Sequence, residues 1–131
     1  MDPRSRDRFD EVLEQVLDKL PSLVHRLLQK IPLHVEDYPS AEVMQRTGVT
    51  YRDELCGLFT GVPMTGQSVE QSGNLPDVVT IYREGIVAAS VDSRGRVRIR
   101  RLKEEIRKTI LHELAHYHGI DEDELNQLGY G

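Results

Sequence analysis

Apolar residues recur every three or four positions between Arg4 and Lys30, which is the spacing of one helix face. The residues that make this pattern are Phe9, Val12, Leu13, Val16, Leu17, Leu20, Leu23, Val24, Leu27 and Leu28. Pro21 interrupts it, and proline is tolerated in the first turn of a helix but not in its interior. We therefore predict two helices, over residues 5–19 and 21–30, that cover one face of a sheet.

The middle of the chain has the pattern of short strands separated by turns. Alternation over Ile31–Asp37 and the apolar run Leu55–Gly61 predict two strands, with a short helix between them that Ser40 caps and Gly48 ends. The segment Val78–Arg83 is rich in β-branched and aromatic residues and predicts a third strand. Gly, Ser, Gln and Asn dominate residues 63–76, which predicts a long loop of a length often associated with function.

Residues 86–103 combine an ambiguous apolar run with many cations. Ile86–Val91 fits either a helix or a strand, Asp92–Gly95 predicts a turn, and residues 96–101 alternate as a hairpin arm or a lead into a helix. The cationic residues here are Arg94, Arg96, Arg98, Arg100, Arg101 and Lys103. Such a run is typical of a solvated surface, and the alternative interpretation is contact with an acidic partner or RNA.

Helical spacing returns over residues 102–118, and Gly119 is the predicted end of that helix. Asp121 then caps a last short helix, with Glu124 three residues on completing the cap. The pattern as a whole predicts one α+β domain over residues 1–131. Its small mixed sheet of three to four strands packs on the N-terminal helices and on the C-terminal helix.

Composition narrows the classes of function. A chain of 131 residues suits one compact domain, and its net charge of −5 argues against a protein that binds nucleic acid or anionic membranes over its whole surface. Cys56 is the only cysteine, which excludes an intrachain disulfide and fits a buried small thiol. No stretch approaches the ~18 apolar residues of a membrane span, and the charged N-terminus does not fit a secretory signal, so a cytoplasmic location is expected.

The strongest chemical signal is His112-Glu113-Leu114-Ala115-His116. Two histidines four residues apart on a helix project from the same face, so both imidazoles reach a single zinc ion. Glu113 lies about 100° around the helix from His112, beside the metal, where a general base takes a proton from a zinc-activated water. A catalytic zinc usually has three protein ligands, and we favour Glu122 over Asp123 as the third.

At these residues the chain resembles the minimal zincin-like metallopeptidases, which are small bacterial proteins of about this length. The resemblance also covers the paired N-terminal helices, Leu55–Pro63 and Leu75–Tyr82. It implies a zincin-like core and peptidase activity on a peptide or protein substrate. It also implies zinc on His112 and His116, with Glu113 as the base.

The spacing of the motif is also similar to that of metzincins, in which position 122 carries the third ligand as histidine where this chain has Glu122. Substrates of larger zincins lie antiparallel to an edge strand, and by analogy Val78–Tyr82 is expected to be that strand, with the loop 61–76 at the rim of the cleft. Tyr82 and Tyr117 are interpreted as packing residues rather than oxyanion ligands, and His118 as a packing or supporting residue.

Two other functions compete with a peptidase. Certain bacterial rRNA-processing enzymes have three zinc ligands at the same spacing, but they carry glycine at the position of Glu113, which argues against a metal-dependent endoribonuclease. A non-catalytic zinc-binding interaction module would instead have a closed site with four protein ligands, including both Glu122 and Asp123.

Overall fold

The computed structural model describes residues 1–61, 76–117 and 119–128, without the side chains of Glu122 and Leu125. Almost all of the predicted loop 63–76, as well as His118, therefore lies outside the described residues. The elements in chain order are α1 (Pro3–Asp18), α2 (Ser22–Lys30), β1 (Leu33–Glu36), α3 (Ala41–Thr47), β2 (Gly57–Thr60), β3 (Val78–Tyr82), α4 (Arg83–Ala89), α5 (Ile99–Leu114) and α6 (Glu122–Gln127).

The first three helices form where the sequence predicts them. Asp2 caps α1, since its carboxylate accepts a hydrogen bond from the backbone N–H of Ser5, and Pro21 precedes the first residue of α2. The hydroxyl of Ser40 accepts a hydrogen bond from the N–H of Val43 at the start of α3. Gly48 ends α3 with a φ of 80°, a left-handed conformation that glycine adopts without steric cost.

The three described strands form one mixed sheet in the order β1-β3-β2. β1 runs parallel to β3, with Val35 opposite Ile81, and β2 runs antiparallel to β3, with Phe59 opposite Val79. The α+β class and the small mixed sheet are thus confirmed. The expected edge position of Val78–Tyr82 is wrong, because β3 is the central strand and all five of its residues are buried.

One face of the sheet packs against helices to form the core. Val79 and Ile81 of β3 are fully buried there and belong to the same apolar cluster as Phe9 of α1, Val24 of α2 and Ile106 of α5. The N-terminal helices share this core with the sheet: α1 packs against α5, and α5 packs against β2 and β3. The apolar face of α5 packs in this cluster, which fixes the direction in which the polar face of α5 projects.

Two helix boundaries differ from the prediction. Residues 86–89 of the ambiguous run belong to α4, which begins directly after β3 at Arg83, a residue that the strand pattern had included. Val91, at the end of that run, instead forms a single antiparallel bridge with Val97. α5 begins at Ile99 and ends at Leu114, rather than spanning 102–118. Beyond Leu114 the N–H groups of His116 and Tyr117 donate to carbonyl oxygens three residues earlier, so the chain tightens into a 3₁₀-type turn.

Ion pairs join α1, the end of β1 and the start of α4. The carboxylate of Asp37 accepts hydrogen bonds from the guanidinium groups of Arg6, at 2.6 Å, and Arg83, at 2.9 Å, and Arg83 also binds Asp10. The hydrogen bonds from Arg6, and then those from Arg83, hold the pKa of Asp37 below its usual value. This network holds the helical layer against one end of the sheet.

We expect Asp37→Asn to lower the free energy of unfolding by about 1–3 kcal/mol at pH 7, because it removes the charge from hydrogen bonds that two guanidinium groups donate. A carboxyl with a lowered folded-state pKa stabilises the fold above its unfolded pKa of about 3.9, and this contribution is lost as the pH falls through the lower folded value. Urea unfolding at pH 7 and pH 3 should therefore show a difference between variant and parent that shrinks in acid. Asp18→Asn, at an exposed residue of α1, is the control. An equal loss of stability at both pH values would contradict the role of the Asp37 charge.

None of the helices in the described ranges combines the length and the apolar character that crossing a bilayer requires.

Candidate metal centre

The candidate site lies where the C-terminal end of α5 meets β2. Leu111 and Leu114 anchor this end of α5 in the core, with exposures of 5% and 0%. His112 and His116 are exposed, and Glu113 is half-buried between the helix and the strand. The apolar positions thus set the orientation of the helix, and the three polar residues of the motif face outward beside the sheet.

The two predicted zinc ligands lie close together. The ring centres of His112 and His116 are 5.3 Å apart, and their planes meet at 82°. Two imidazoles bound to one tetrahedral zinc through bonds of about 2.0–2.1 Å have ring centres roughly 5 Å apart. The ring separation therefore matches that of two imidazoles sharing one zinc ion, although His116 lies two residues beyond the end of α5.

Glu113 is held by the neighbouring strand. The backbone N–H of Phe59 in β2 lies next to its carboxylate. Burial raises the pKa of Glu113 above its usual value, against the opposing influence of His112, His116 and the Phe59 N–H. The carboxylate therefore lies close to both imidazoles and to the edge of β2.

The outer side of β2 borders this site. The backbone N–H of Tyr82 in β3 donates a 2.8 Å hydrogen bond to the backbone carbonyl of Cys56. Backbone groups of an antiparallel strand alternate in direction, so the N–H and C=O groups of Gly57 and Phe59 point away from β3. No other strand of the described ranges pairs with that side. The edge strand beside the motif is therefore β2, which corrects the assignment of this role to Val78–Tyr82.

A groove follows β2 next to this edge. It has a volume of about 310 Å³ and is lined by Arg46 and Thr47 of α3 and by residues 58–61. Side chains of an extended ligand alternate in direction, so those of a chain paired to β2 would face alternately this groove and α5.

Gly57 brings β2 unusually close to α5. A Cβ atom at this position would lie 2.6 Å from the Thr109 methyl carbon and 3.2 Å from the Glu113 Cγ. Thr109 is β-branched and buried, so its side chain has little freedom to move away. Glycine at position 57 therefore allows the strand to approach the helix closely enough for the Phe59 N–H to reach Glu113.

We expect Gly57→Ala to lower the free energy of unfolding by about 1–3 kcal/mol, because the added methyl group overpacks the contact between β2 and α5. It should also reduce any activity that depends on Glu113. Thr109→Ser removes the methyl group nearest to the added Cβ. The double variant should regain part of the stability in chemical denaturation, and a double variant as unstable as Gly57→Ala would contradict this contact.

The acidic segment after Gly119 forms the predicted helix cap. The N–H of Glu124 donates a 2.8 Å hydrogen bond to the Asp121 carboxylate, and the N–H of Asp121 donates a 3.2 Å bond back to the Glu124 carboxylate. Among the side chains that the structure describes, no group of three His, Cys, Asp or Glu residues is placed to hold a metal ion. Asp123, which is exposed, does not join the two histidines in such a group, and the side chain of Glu122 lies outside the described part.

Three further residues near the motif have packing roles. Tyr82 is 2% exposed, and burial raises the pKa of its hydroxyl. The ring of Tyr117 lies 6.5 Å from that of Phe59, tilted by 53°, and packs at the margin of the core. Cys56 is half-buried next to the core, and burial raises the pKa of its thiol. These contacts agree with the packing interpretation of both tyrosines and with the interpretation of Cys56 as a small apolar residue.

The sequence-based prediction missed Phe59, whose backbone N–H lies next to the Glu113 carboxylate, and the contact between Gly57 and Thr109. A backbone donor leaves no signal in residue identity. Gly57, however, lies inside a predicted strand, and a glycine in that position often marks the close approach of another segment. That signal was present in the sequence.

The fold and this site define an α+β protein with a paired-histidine and glutamate motif at the end of a helix, next to a sheet edge. Residues 28–131 match the family described as zincin-like metallopeptidase, and the chain belongs to this family. A search of curated proteins finds no match. The family match covers every strand of the described sheet and the whole motif, and it implies zinc binding.

Proposed function

We propose that the chain is a zinc-dependent peptidase in which His112, His116 and Glu122 bind zinc and Glu113 is the general base. The observation that carries the proposal is the pair of imidazoles with ring centres 5.3 Å apart, next to the Glu113 carboxylate and the outer side of β2. Membership of the zincin-like metallopeptidase family supports the reaction class.

The substrate would bind as an extended chain along β2. The outward N–H and C=O of Gly57 and the outward C=O of Phe59 provide backbone partners, since the Phe59 N–H is directed at Glu113, and an added strand gains affinity from such hydrogen bonds. The groove at Arg46 would receive a side chain of the substrate. This arrangement brings a peptide bond next to Glu113 and the two histidines.

Zinc, when bound, supplies Lewis acidity that lowers the pKa of a coordinated water and stabilises negative charge on a carbonyl oxygen. A carboxylate oxygen of Glu113 takes a proton from the attacking water and returns it to the nitrogen of the scissile bond as that bond breaks. The Phe59 N–H keeps the carboxylate in place during both transfers. His112 and His116 would bind the metal through a neutral ring nitrogen each, and they take no proton in either step.

Metal analysis and substrate assays test the proposal together. The protein should bind one zinc ion per chain, with two nitrogen donors and at least one oxygen donor in a zinc K-edge ligand count. The zinc-loaded protein should cleave casein and leave structured RNA intact. If the protein cleaves RNA but not casein, the endoribonuclease is favoured. If it has a closed site of four protein ligands and hydrolyses neither substrate, the zinc-binding interaction module is favoured.

We expect Glu122→Ala to weaken zinc binding by at least about 10-fold and Asp123→Ala to leave it unchanged, because only residue 122 is proposed as a ligand. Both residues lie in the first turn of α6, so the two variants make similar changes to helix charge and cap. Competition with a chelating dye measures both affinities. The reverse ranking would assign the third ligand to Asp123.

A further inference from the structure

The segment before and at the start of α5 carries a surface that the metal centre does not use. We define the basic patch as Arg94, Arg96, Arg98, Arg100 and Arg101, all of which are exposed. The patch stands out in a chain whose net charge is −5. It begins in the turn that follows α4 and continues into the first turn of α5.

The basic patch is poorly neutralised by its surroundings. Arg98 pairs with Asp92 at 2.9 Å, whereas the other four arginines form no ion pair with any residue that the structure describes. The Asp92 carboxylate also accepts hydrogen bonds from the backbone N–H groups of Arg94 and Arg96, so this acid is used to build the turn.

The start of α5 gains no stabilisation from the charges of Arg100 and Arg101. α5 begins without a side-chain cap, and its first turn contains no acidic residue. Cations at the N-terminus of a helix are unfavourable to the helix dipole, and Arg100 and Arg101 lie at that end. The helix dipole therefore does not account for these two arginines.

Exposed aliphatic side chains accompany the arginines. Val91, Val97 and Ile99 have exposures of 37%, 41% and 45%, and they are the only aliphatic residues among the large exposed hydrophobics of the described ranges. Val91 and Val97 face each other across a single antiparallel bridge. The surface is thus apolar and basic at once.

Val97 also lines a groove next to the basic patch. The groove has a volume of about 500 Å³, and Phe9, Val87, Ala88 and Leu102 contribute further apolar surface to it. The groove itself carries charges of both signs, since Arg8, Arg52, Asp2, Asp53 and Glu84 all line it and Arg52 is paired with Glu84 at 2.8 Å. It therefore contributes apolar surface, and the positive charge of the binding surface comes from the basic patch. The apolar lining gives a ligand that reaches the arginines somewhere to place aliphatic side chains.

We propose that the basic patch and this groove bind an acidic, aliphatic-rich peptide segment of a partner protein. The arginines complement carboxylates, and the exposed aliphatic residues complement apolar side chains, which a phosphate backbone does not offer. Single-stranded nucleic acid is usually held by stacking on aromatic rings, and residues 91–101 include none. The surface lies at the opposite end of α5 from His112 and does not depend on the metal.

Fluorescence anisotropy with three labelled eight-residue peptides tests this. The first contains five acidic and three aliphatic residues, the second has lysine at the acidic positions, and the third has serine at the aliphatic positions. We expect the first to bind most tightly, with an affinity that falls as salt rises. Arg96→Glu with Arg100→Glu should weaken it at least about tenfold, and Val97→Ser with Ile99→Ser should weaken it without changing the salt dependence.

Arg26→Glu with Lys30→Glu is the matched control, since it makes the same change of charge at exposed positions of α2. It should leave peptide binding within about twofold of the parent. An equal loss in both charge-reversal variants would overturn the proposal, and so would tighter binding of single-stranded or duplex RNA than of the acidic peptide. Equal binding by Glu113→Gln shows that the result is independent of the proposed catalysis.

Discussion

Glu113→Gln is expected to lower kcat/KM for peptide hydrolysis by about 10²–10⁴-fold while zinc remains bound. Glutamine keeps the size of the side chain and an oxygen acceptor for the Phe59 N–H, but it cannot take a proton from water near neutral pH. The loss should therefore appear in kcat, with little change in KM or in the free energy of unfolding. Initial rates on a fluorogenic peptide, together with metal content, measure the effect.

Glu104→Gln provides the matched control. It makes the same chemical change on α5 at an exposed residue, and we expect unchanged kinetics. A Glu113→Gln protein that cleaves peptides as fast as the parent, with zinc bound, would show that another group acts as the base. If the variant loses zinc as well as activity, Glu113 is part of the metal site itself.

His112→Ala and His116→Ala are expected to weaken zinc binding by more than about 100-fold each and to remove hydrolysis. Loss of a residue that only supports a metal ligand typically costs 10–100-fold in affinity, so loss of a ligand should cost more. Both side chains are exposed, so the folded state should remain stable without metal. Chelator competition and calorimetric unfolding of the metal-free proteins separate the two effects.

His34→Ala serves as the control for this pair. His34 is an exposed histidine of β1, and its removal should leave zinc affinity and activity unchanged. Zinc binding that survives in both His112→Ala and His116→Ala would move the metal to another part of the chain. Retention of activity in either one would separate hydrolysis from the paired histidines.

Much of the fold follows from periodicity in the sequence. The apolar spacing of α1 and α2 and the β-branched run of β3 were sufficient to predict these elements because burial of one face dominates their stability. The caps at Ser40 and Asp121 were also predictable, since a short polar side chain there satisfies backbone N–H groups that lack a partner in the helix.

Strand order was not predictable in the same way. A run as apolar as Val78–Tyr82 fits a strand that is covered on both faces, and the analogy with larger zincins still assigned it to the edge. Which strand lies in the middle depends on pairings between distant segments, and these make β2 the edge strand beside the motif. The end of α5 was also missed, because a regular HExxH spacing does not reveal that the chain tightens after Leu114.

The candidate site was predictable as far as residue type and helix spacing allow. His112, Glu113 and His116 were found by the sequence and lie together in the structure. The Phe59 N–H was not predictable, since every residue except proline carries the same backbone donor. Its role appears only once the register of β2 against β3 is known.

The outer side of β2 also has a consequence for the choice of target. A row of main-chain donors and acceptors recognises any polypeptide that can straighten beside it, whatever its side chains. Compact proteins, whose main chain is already engaged in helices and sheets, offer no such length and should resist cleavage. A hydrolase built around this edge would therefore select for unfolded tails, open loops and damaged chains. Whether the target is folded would matter more to it than the amino-acid sequence of the target.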